Sequence, residues 1–133
     1  MRNITEIIIH CTATPAGRAV SISEIDRWHR ARGFASIGYH YVVGLSGEIM
    51  AGRPEKQTGA HCRGHNASSV GIAYVGGLDA TGTPADTRTA AQRESLCRLV
   101  GRLKARYPGA RVYGHREFAA KACPCFDASA EYN

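Results

Sequence analysis

Ile7-Ile8-Ile9-His10-Cys11 is the stretch that decides the fold of this 133-residue chain. Consecutive β-branched residues favour a strand, which we predict over residues 5–10. Because side chains alternate between the two faces of a strand, an unbroken apolar run means that both faces are buried. Such a strand belongs in the centre of a sheet that is covered on both sides. It carries His10 to its end, where open α/β sheets place their ligands.

Helix and strand signals follow this stretch in a regular order. Ser21 and Glu24 form a capping box ahead of apolar residues at helical spacing, and Gly33 ends that helix. The later predicted elements are a hairpin from residues 39–43 and 49–51, a strand over 70–75, a helix from the Thr89–Gln92 capping box to 108–109, and a strand over 111–113. This order predicts one α/β domain over residues 1–133, with a central mixed β-sheet flanked by helices.

The composition excludes several classes of protein. It is 44% hydrophobic and 21% charged, which is typical of a globular domain, and no stretch approaches the about 18 apolar residues of a membrane helix. The net charge of +6 favours a polyanionic partner, but the arginines are scattered and no nucleic-acid motif is present. We therefore expect neither a membrane nor a nucleic-acid partner. Five cysteines without a signal peptide favour metal ligation or buried thiols over disulfides.

Three residues have the side chains of a zinc site. His10 and His115 each follow an apolar strand, and Cys123 comes eight residues after His115. Two imidazoles and one thiolate leave the fourth tetrahedral position for water, as a catalytic zinc requires. Taken singly, such histidines are more often hydrogen-bonded core or surface residues, and such cysteines small buried hydrophobes. With Cys125 as a fourth ligand, the zinc would instead be structural.

Six motifs at compatible spacing carry a family resemblance across nearly the whole chain. They are Ile8-Ile9-His10-Cys11-Thr12-Ala13-Thr14, Ile37-Gly38-Tyr39-His40-Tyr41, Gly59-Ala60-His61, Val75-Gly76-Gly77, Gly114-His115-Arg116-Glu117 and Lys121-Ala122-Cys123-Pro124, the last followed by Phe126-Asp127. The chain thereby resembles the type-2 N-acetylmuramoyl-L-alanine amidases, most closely the lysozymes of T-odd coliphages. The animal peptidoglycan recognition proteins share this fold.

The resemblance implies a zinc hydrolase that cuts the amide bond between N-acetylmuramic acid and L-alanine in peptidoglycan. It implies one zinc per chain, bound by His10, His115 and Cys123, and it makes Tyr39 and Lys121 catalytic. Lys121 would stabilise the oxyanion, while Tyr39 would orient water, hydrogen-bond the intermediate or relay a proton. Without the resemblance, we would read Tyr39 as a packing aromatic and Lys121 as a solvated lysine.

The resemblance also implies that His61 lies beside the substrate cleft with Asn66 as its polar neighbour, and both are predicted to bind substrate. His40 should point away from Tyr39, because strand side chains alternate, which predicts a core histidine. Pro124 disfavours a helical path, so we expect an extended segment that separates the side chains of Cys123 and Cys125.

Other functions remain open at this point. A non-catalytic peptidoglycan-binding module is one, although Cys123, Tyr39 and Lys121 favour the enzyme, and a zinc protein with a purely structural metal is another. No recognisable pair of carboxylates points to a glycosidase.

We expect peptidoglycan as the partner and a monomer as the state. Only a few residues precede Ile7, so the N-terminal arm with which T-odd phage proteins bind RNA polymerase is missing, and we do not expect that interaction. With no signal peptide, synthesis is expected in the cytoplasm. Action on the wall would then follow release by lysis, as for an endolysin, or delivery by another route.

Overall fold

The central feature of the computed structural model, which describes residues 2–133, is a mixed β-sheet. Its five strands are β1 (Glu6–Cys11), β3 (Tyr41–Val43), β4 (Ile49–Ala51), β5 (Ser69–Tyr74) and β7 (Arg111–Gly114). They lie in the order β4-β3-β5-β1-β7, and only β4 runs antiparallel to its neighbour. A second sheet pairs β2 (Thr14–Pro15) with β6 (Gly77–Leu78).

Strand β1 is the centre of the core, as its three isoleucines predict. Ile7, Ile8 and Ile9 are all fully buried, and parallel strands β5 and β7 pair with β1 on its two sides. Ile7 and Ile9 belong to the apolar cluster that also contains the buried leucines of the second helix. Because side chains alternate along a strand, His10 points to the opposite face. The strand thus positions His10 on the side away from that cluster.

Helices cover the sheet. They are α1 (Ile22–Ala31), α2 (Ala90–Arg106) and α3 (Ala128–Tyr132). Both predicted capping boxes, Ser21 with Glu24 and Thr89 with Gln92, are present at the starts of α1 and α2. The α/β fold with a central mixed sheet and flanking helices is therefore confirmed. Among residues 2–133, no helix is both long enough and apolar enough to cross a bilayer.

Two details of the fold differ from the predictions. Strand β3 begins at Tyr41, not at residue 39, because the Gly38 amide donates to His29 Nδ1 at 2.8 Å and holds the preceding segment in an irregular path. The β2–β6 pair was not predicted, since two-residue strands show no periodicity that a sequence could reveal.

Candidate metal centre and active site

The side chains of His10, His115 and Cys123 converge at one edge of the sheet. Their ligand atoms all lie within 4.8 Å of one another, and no other such group of His, Cys, Asp or Glu side chains occurs within residues 2–133. His10 lies near the end of β1, and His115 begins a 3-10 turn directly after β7. Because β1 and β7 are parallel neighbours, their carboxyl ends meet at the same edge.

This donor set fits a zinc ion. Zinc binds imidazole nitrogen and thiolate sulfur at about 2.0–2.3 Å, so tetrahedral ligand atoms lie about 3.3–3.8 Å apart. The ligand atoms of the three side chains, all within 4.8 Å of one another, are close to that spacing. The group contains no fourth protein donor among residues 2–133, so one tetrahedral position is open.

Burial keeps both histidines in the form that binds metal. The pKa of His10 is held well below its usual value by burial first, and then by the neighbouring His61 and His115. Burial also lowers the pKa of His115, with the Lys121 charge adding to the effect. Both rings are therefore neutral at neutral pH, as metal ligation requires.

Cys11 prepares the Cys123 thiol for ligation. The Cys11 backbone N–H donates to Cys123 Sγ at 3.2 Å. A hydrogen bond from the Cys11 side chain is the main cause that lowers the pKa of Cys123, and the same contact, with burial, raises the pKa of Cys11. Of the two thiols, Cys123 therefore loses its proton first, and the thiolate is the form that binds metal.

Cys125 points elsewhere, although the predicted extended path between the two thiols is wrong. The Cys125 N–H donates to Ala122 O at 2.7 Å and closes a turn, with Cys125 itself at φ 72°. The chain therefore reverses direction between Ala122 and Cys125 and does not run straight from one thiol to the other. Cys125 Sγ lies 3.5 Å from Gly77 O and is not part of the metal group.

Tyr39 and Lys121 both border the group. The Tyr39 ring lies 5.1 Å from the His10 ring between centroids, and burial raises the pKa of its hydroxyl, which therefore stays protonated. Lys121 is exposed and lines a cavity of about 170 Å³ together with Cys123 and Cys125. Tyr39 therefore lies beside His10, and Lys121 lies beside Cys123 at this cavity.

His61 contacts the metal group directly, which no sequence signal predicted. Its Nδ1 lies 2.8 Å from His10 Nε2, and its Nε2 lies 3.2 Å from Ser69 Oγ. Burial, followed by the nearby His40 and His115, lowers the pKa of His61 to about 3. Asn66 Oδ1 accepts the backbone N–H groups of His61 and Cys62, each at 2.9 Å. Substrate binding by His61 and Asn66 stays a prediction.

Two further residues support the site from behind. His40 is 1% exposed and is held by the Gly71 N–H at Nδ1 and by Gln57 O at Nε2, so it is a core histidine. Its burial does not arise from strand alternation, because it precedes β3. Glu117 accepts the Gly114 N–H at 2.7 Å and so stabilises the turn that carries His115.

Comparisons with known proteins agree over nearly the whole chain. The sequence profile of the N-acetylmuramoyl-L-alanine amidase family (Amidase_2) matches residues 1–126. The endolysin of Klebsiella phage KP32 is 42% identical over 123 residues, covering 92% of this chain and 82% of the relative. The endolysin of Escherichia phage T7 is 41% identical over 121 residues, with 91% and 80% covered. Among solved structures, the amidase LysC from Clostridium intestinale URNW superposes with a TM-score of 0.83 at 30% identity, covering 98% of this chain and 82% of that one.

Proposed function

We propose, because this chain belongs to the N-acetylmuramoyl-L-alanine amidase family, that it hydrolyses an amide bond of peptidoglycan with a zinc ion. The zinc would be held by His10, His115 and Cys123. The family membership that the sequence motifs indicated is confirmed, and with it the enzyme class, an amidase acting on peptidoglycan. The bond is the one between N-acetylmuramic acid and L-alanine. One observation carries the zinc proposal: two imidazoles and a thiol converge, with their ligand atoms within 4.8 Å of one another. The lowered pKa values of His10, His115 and Cys123 agree with it.

The roles of the zinc and of its ligands follow from the kinds of donor atom in the group. When bound, zinc supplies a Lewis acid and activates a water for attack on the amide carbonyl. His10, His115 and Cys123 would hold the zinc, and no fourth protein donor joins them within residues 2–133. A catalytic site needs an open fourth position, and a structural site would close it.

Lys121 and Tyr39 are proposed to act on the reacting amide. Attack on the carbonyl places negative charge on its oxygen, and an ammonium group beside it stabilises that charge. Lys121 is exposed to solvent at the cavity that Cys123 lines, so substrate can reach it. The Tyr39 hydroxyl keeps its proton and can donate a hydrogen bond to the water or to the tetrahedral intermediate.

The alternatives are less well supported by the same geometry. A pure binding module has no need of three converging metal donors, and these donors are present together. A closed structural site would require Cys125 as the fourth ligand, but its sulfur contacts Gly77 O. Relatives named endolysins in two phages support an endolysin that acts on the wall after release.

The test is digestion of purified peptidoglycan followed by mass spectrometry. We expect new L-alanine amino ends, about one zinc per chain, loss of activity with a strong chelator and recovery with added zinc. New reducing sugars in place of amino ends would show a glycosidase. Full activity of a verified metal-free protein would overturn the zinc mechanism.

A further inference from the structure

His61 lies in a slot that the surrounding backbone keeps open for its ring. A Cβ on Gly71 would lie 2.6 Å from His61 Cγ and Cδ2, and a Cβ on Gly59 would lie 2.8 Å from His61 Cδ2. Asn66 Oδ1 fixes the His61 backbone N–H at 2.9 Å. Ser69, the first residue of β5, places its hydroxyl 3.2 Å from His61 Nε2. Four residues therefore determine where the imidazole of His61 lies.

The slot presents His61 edge-on to the ligand His10. The two ring centroids are 4.9 Å apart at 87°, and His61 Nδ1 meets His10 Nε2 at 2.8 Å. Within residues 2–133, His10 Nδ1 makes no hydrogen bond. It is not fully buried either, because the one fully buried side-chain nitrogen or oxygen without a partner there is Arg2 Nε. His10 Nδ1 is thus free to bind a partner, whereas His10 Nε2 is hydrogen-bonded to His61.

We propose that His61 is a positioning residue that fixes the tautomer of His10, so that Nδ1 of His10 is the atom that binds the metal. His61 Nδ1 accepts the proton of His10 Nε2, and His61 Nε2–H donates to Ser69 Oγ. A neutral imidazole carries one N–H, so a proton held at Nε2 leaves the Nδ1 lone pair free. This inference rests on the zinc site proposed above.

The arrangement gives His61 hydrogen-bond partners that differ in kind from those of His40. A substrate could use a ring nitrogen of His61 only by displacing His10 or Ser69. His40 has its nitrogens on backbone partners of Gly71 and Gln57, so its contacts support the fold. Outer partners of ligating histidines set ring orientation and basicity, and their loss weakens metal binding about 10–100-fold.

Zinc affinity, measured by competition with a chelator, tests the inference apart from activity. We expect His61→Ala to bind zinc about 10–100-fold more weakly. His61→Gln, whose amide oxygen can accept the His10 proton, should recover part of the loss. His65→Gln is the matched control, since His65 pairs with Glu6 and not with a ligand, and its zinc affinity should equal that of the unmodified protein. Unchanged affinity in a folded His61→Ala protein would overturn the inference.

Nitrogen NMR of the unmodified protein gives a second readout that needs no variant. In the zinc-loaded protein we expect His10 to be protonated at Nε2 and metal-bound at Nδ1, and in the zinc-free protein to keep the Nε2 proton. A His10 proton at Nδ1, or zinc on Nε2, would overturn the inference even if the variants fail to fold. A chain that bound no zinc would overturn the proposed function instead, while the zinc-free spectrum would still decide the tautomer.

Discussion

Two polar clusters of this molecule differ in how completely their atoms are paired. In the Arg88 cluster, formed by Arg88, Asp86, Glu131 and Tyr132, all five N–H groups of the guanidinium have an acceptor at 2.7–3.2 Å. The Arg88 side chain is 1% exposed and lies 3.4 Å above the Phe126 ring. In the metal group, His10, His115 and Cys123 approach one another, yet no hydrogen bond joins any two of them within the described chain.

The difference separates a structural cluster from a functional one. Buried polar groups in stable folds find partners inside the protein, and the Arg88 cluster does so while tying α3 to the segment before α2. The ligand atoms of the metal group converge without hydrogen-bonding one another, so their shared partner has to come from outside the chain. Changes in the metal group should therefore remove activity, and changes in the Arg88 cluster should remove stability.

The largest effect should come from Cys123→Ser. Loss of the soft thiolate from a three-ligand site should abolish stoichiometric zinc binding and amide cleavage. Cys125→Ser is the matched control and should keep its zinc and near-normal activity, because Cys125 lies outside the metal group. Metal analysis and the peptidoglycan digest check both. The reverse pattern, or metal loss in both variants, would show that the wrong thiol was chosen or that the site is structural.

Next in size is Lys121→Ala, which should lower the rate of cleavage about 100-fold or more while the zinc is retained. The ammonium is proposed to stabilise charge on the reacting amide and not to hold the metal. Lys56→Ala makes the same change at an exposed lysine that does not line the Cys123 cavity, and its rate should be unchanged. Zinc loss in Lys121→Ala would assign Lys121 to the support of the site.

The sequence predictions succeeded for regular elements and were less complete for irregular segments. β1 and β7 were predicted as strands that His10 and His115 follow. That the two histidines meet at one sheet edge follows from the parallel pairing of these strands, which the structure shows. Cys123 lies in a turn without periodicity, and its spacing from His115 was weak evidence until the family resemblance supported it. The turn that contradicts the extended path depends on one local hydrogen bond, from the Cys125 N–H to Ala122 O.

Long-range side-chain contacts were beyond sequence reasoning. The contact between His61 and His10 joins residues 51 positions apart, and the bond between Arg88 and Glu131 joins residues 43 apart. Each depends on the packing of several elements, such as the slot opened by Gly71, and not on a local pattern. The irregular start of β3 has a similar cause, since the imidazole of His29 holds the Gly38 amide.

Arg88→Met should destabilise the fold and leave the amidase activity unchanged. The methionine keeps apolar contact with Phe126 but leaves Glu131 without its cation and Asp86 with only the half-exposed Arg93. Breaking a buried ion pair costs about 3–5 kcal/mol, and because these carboxylates are 25% and 39% exposed we expect about 2–3 kcal/mol. Arg93→Met removes a half-exposed partner of Asp86 and should cost less than about 1 kcal/mol. Urea unfolding measures both; equal losses would contradict the ranking.

The smallest predicted effect is the acid dependence of the Arg88 cluster. The hydrogen bond from Arg88 is the main cause that lowers the pKa of Glu131 below 4.5. Burial alone would raise the pKa of Asp86, but the hydrogen bonds and charge of Arg88 outweigh it and hold that pKa below 3.8. Groups with a lowered pKa in the folded state contribute stability above their unfolded pKa and lose it as the pH falls through the folded value.

The stability advantage of the unmodified protein over Arg88→Met should therefore be constant from pH 7 to about 5 and should shrink below about pH 4.5. Unfolding by urea at a series of pH values, with a chelator in both samples, measures this difference free of zinc. The buried histidines of the metal group also destabilise the fold as they gain protons, but they do so equally in both proteins and cancel. An advantage that stayed constant down to pH 3, or that grew, would show that Arg88 stabilises the fold by packing on Phe126 and not by its carboxylates.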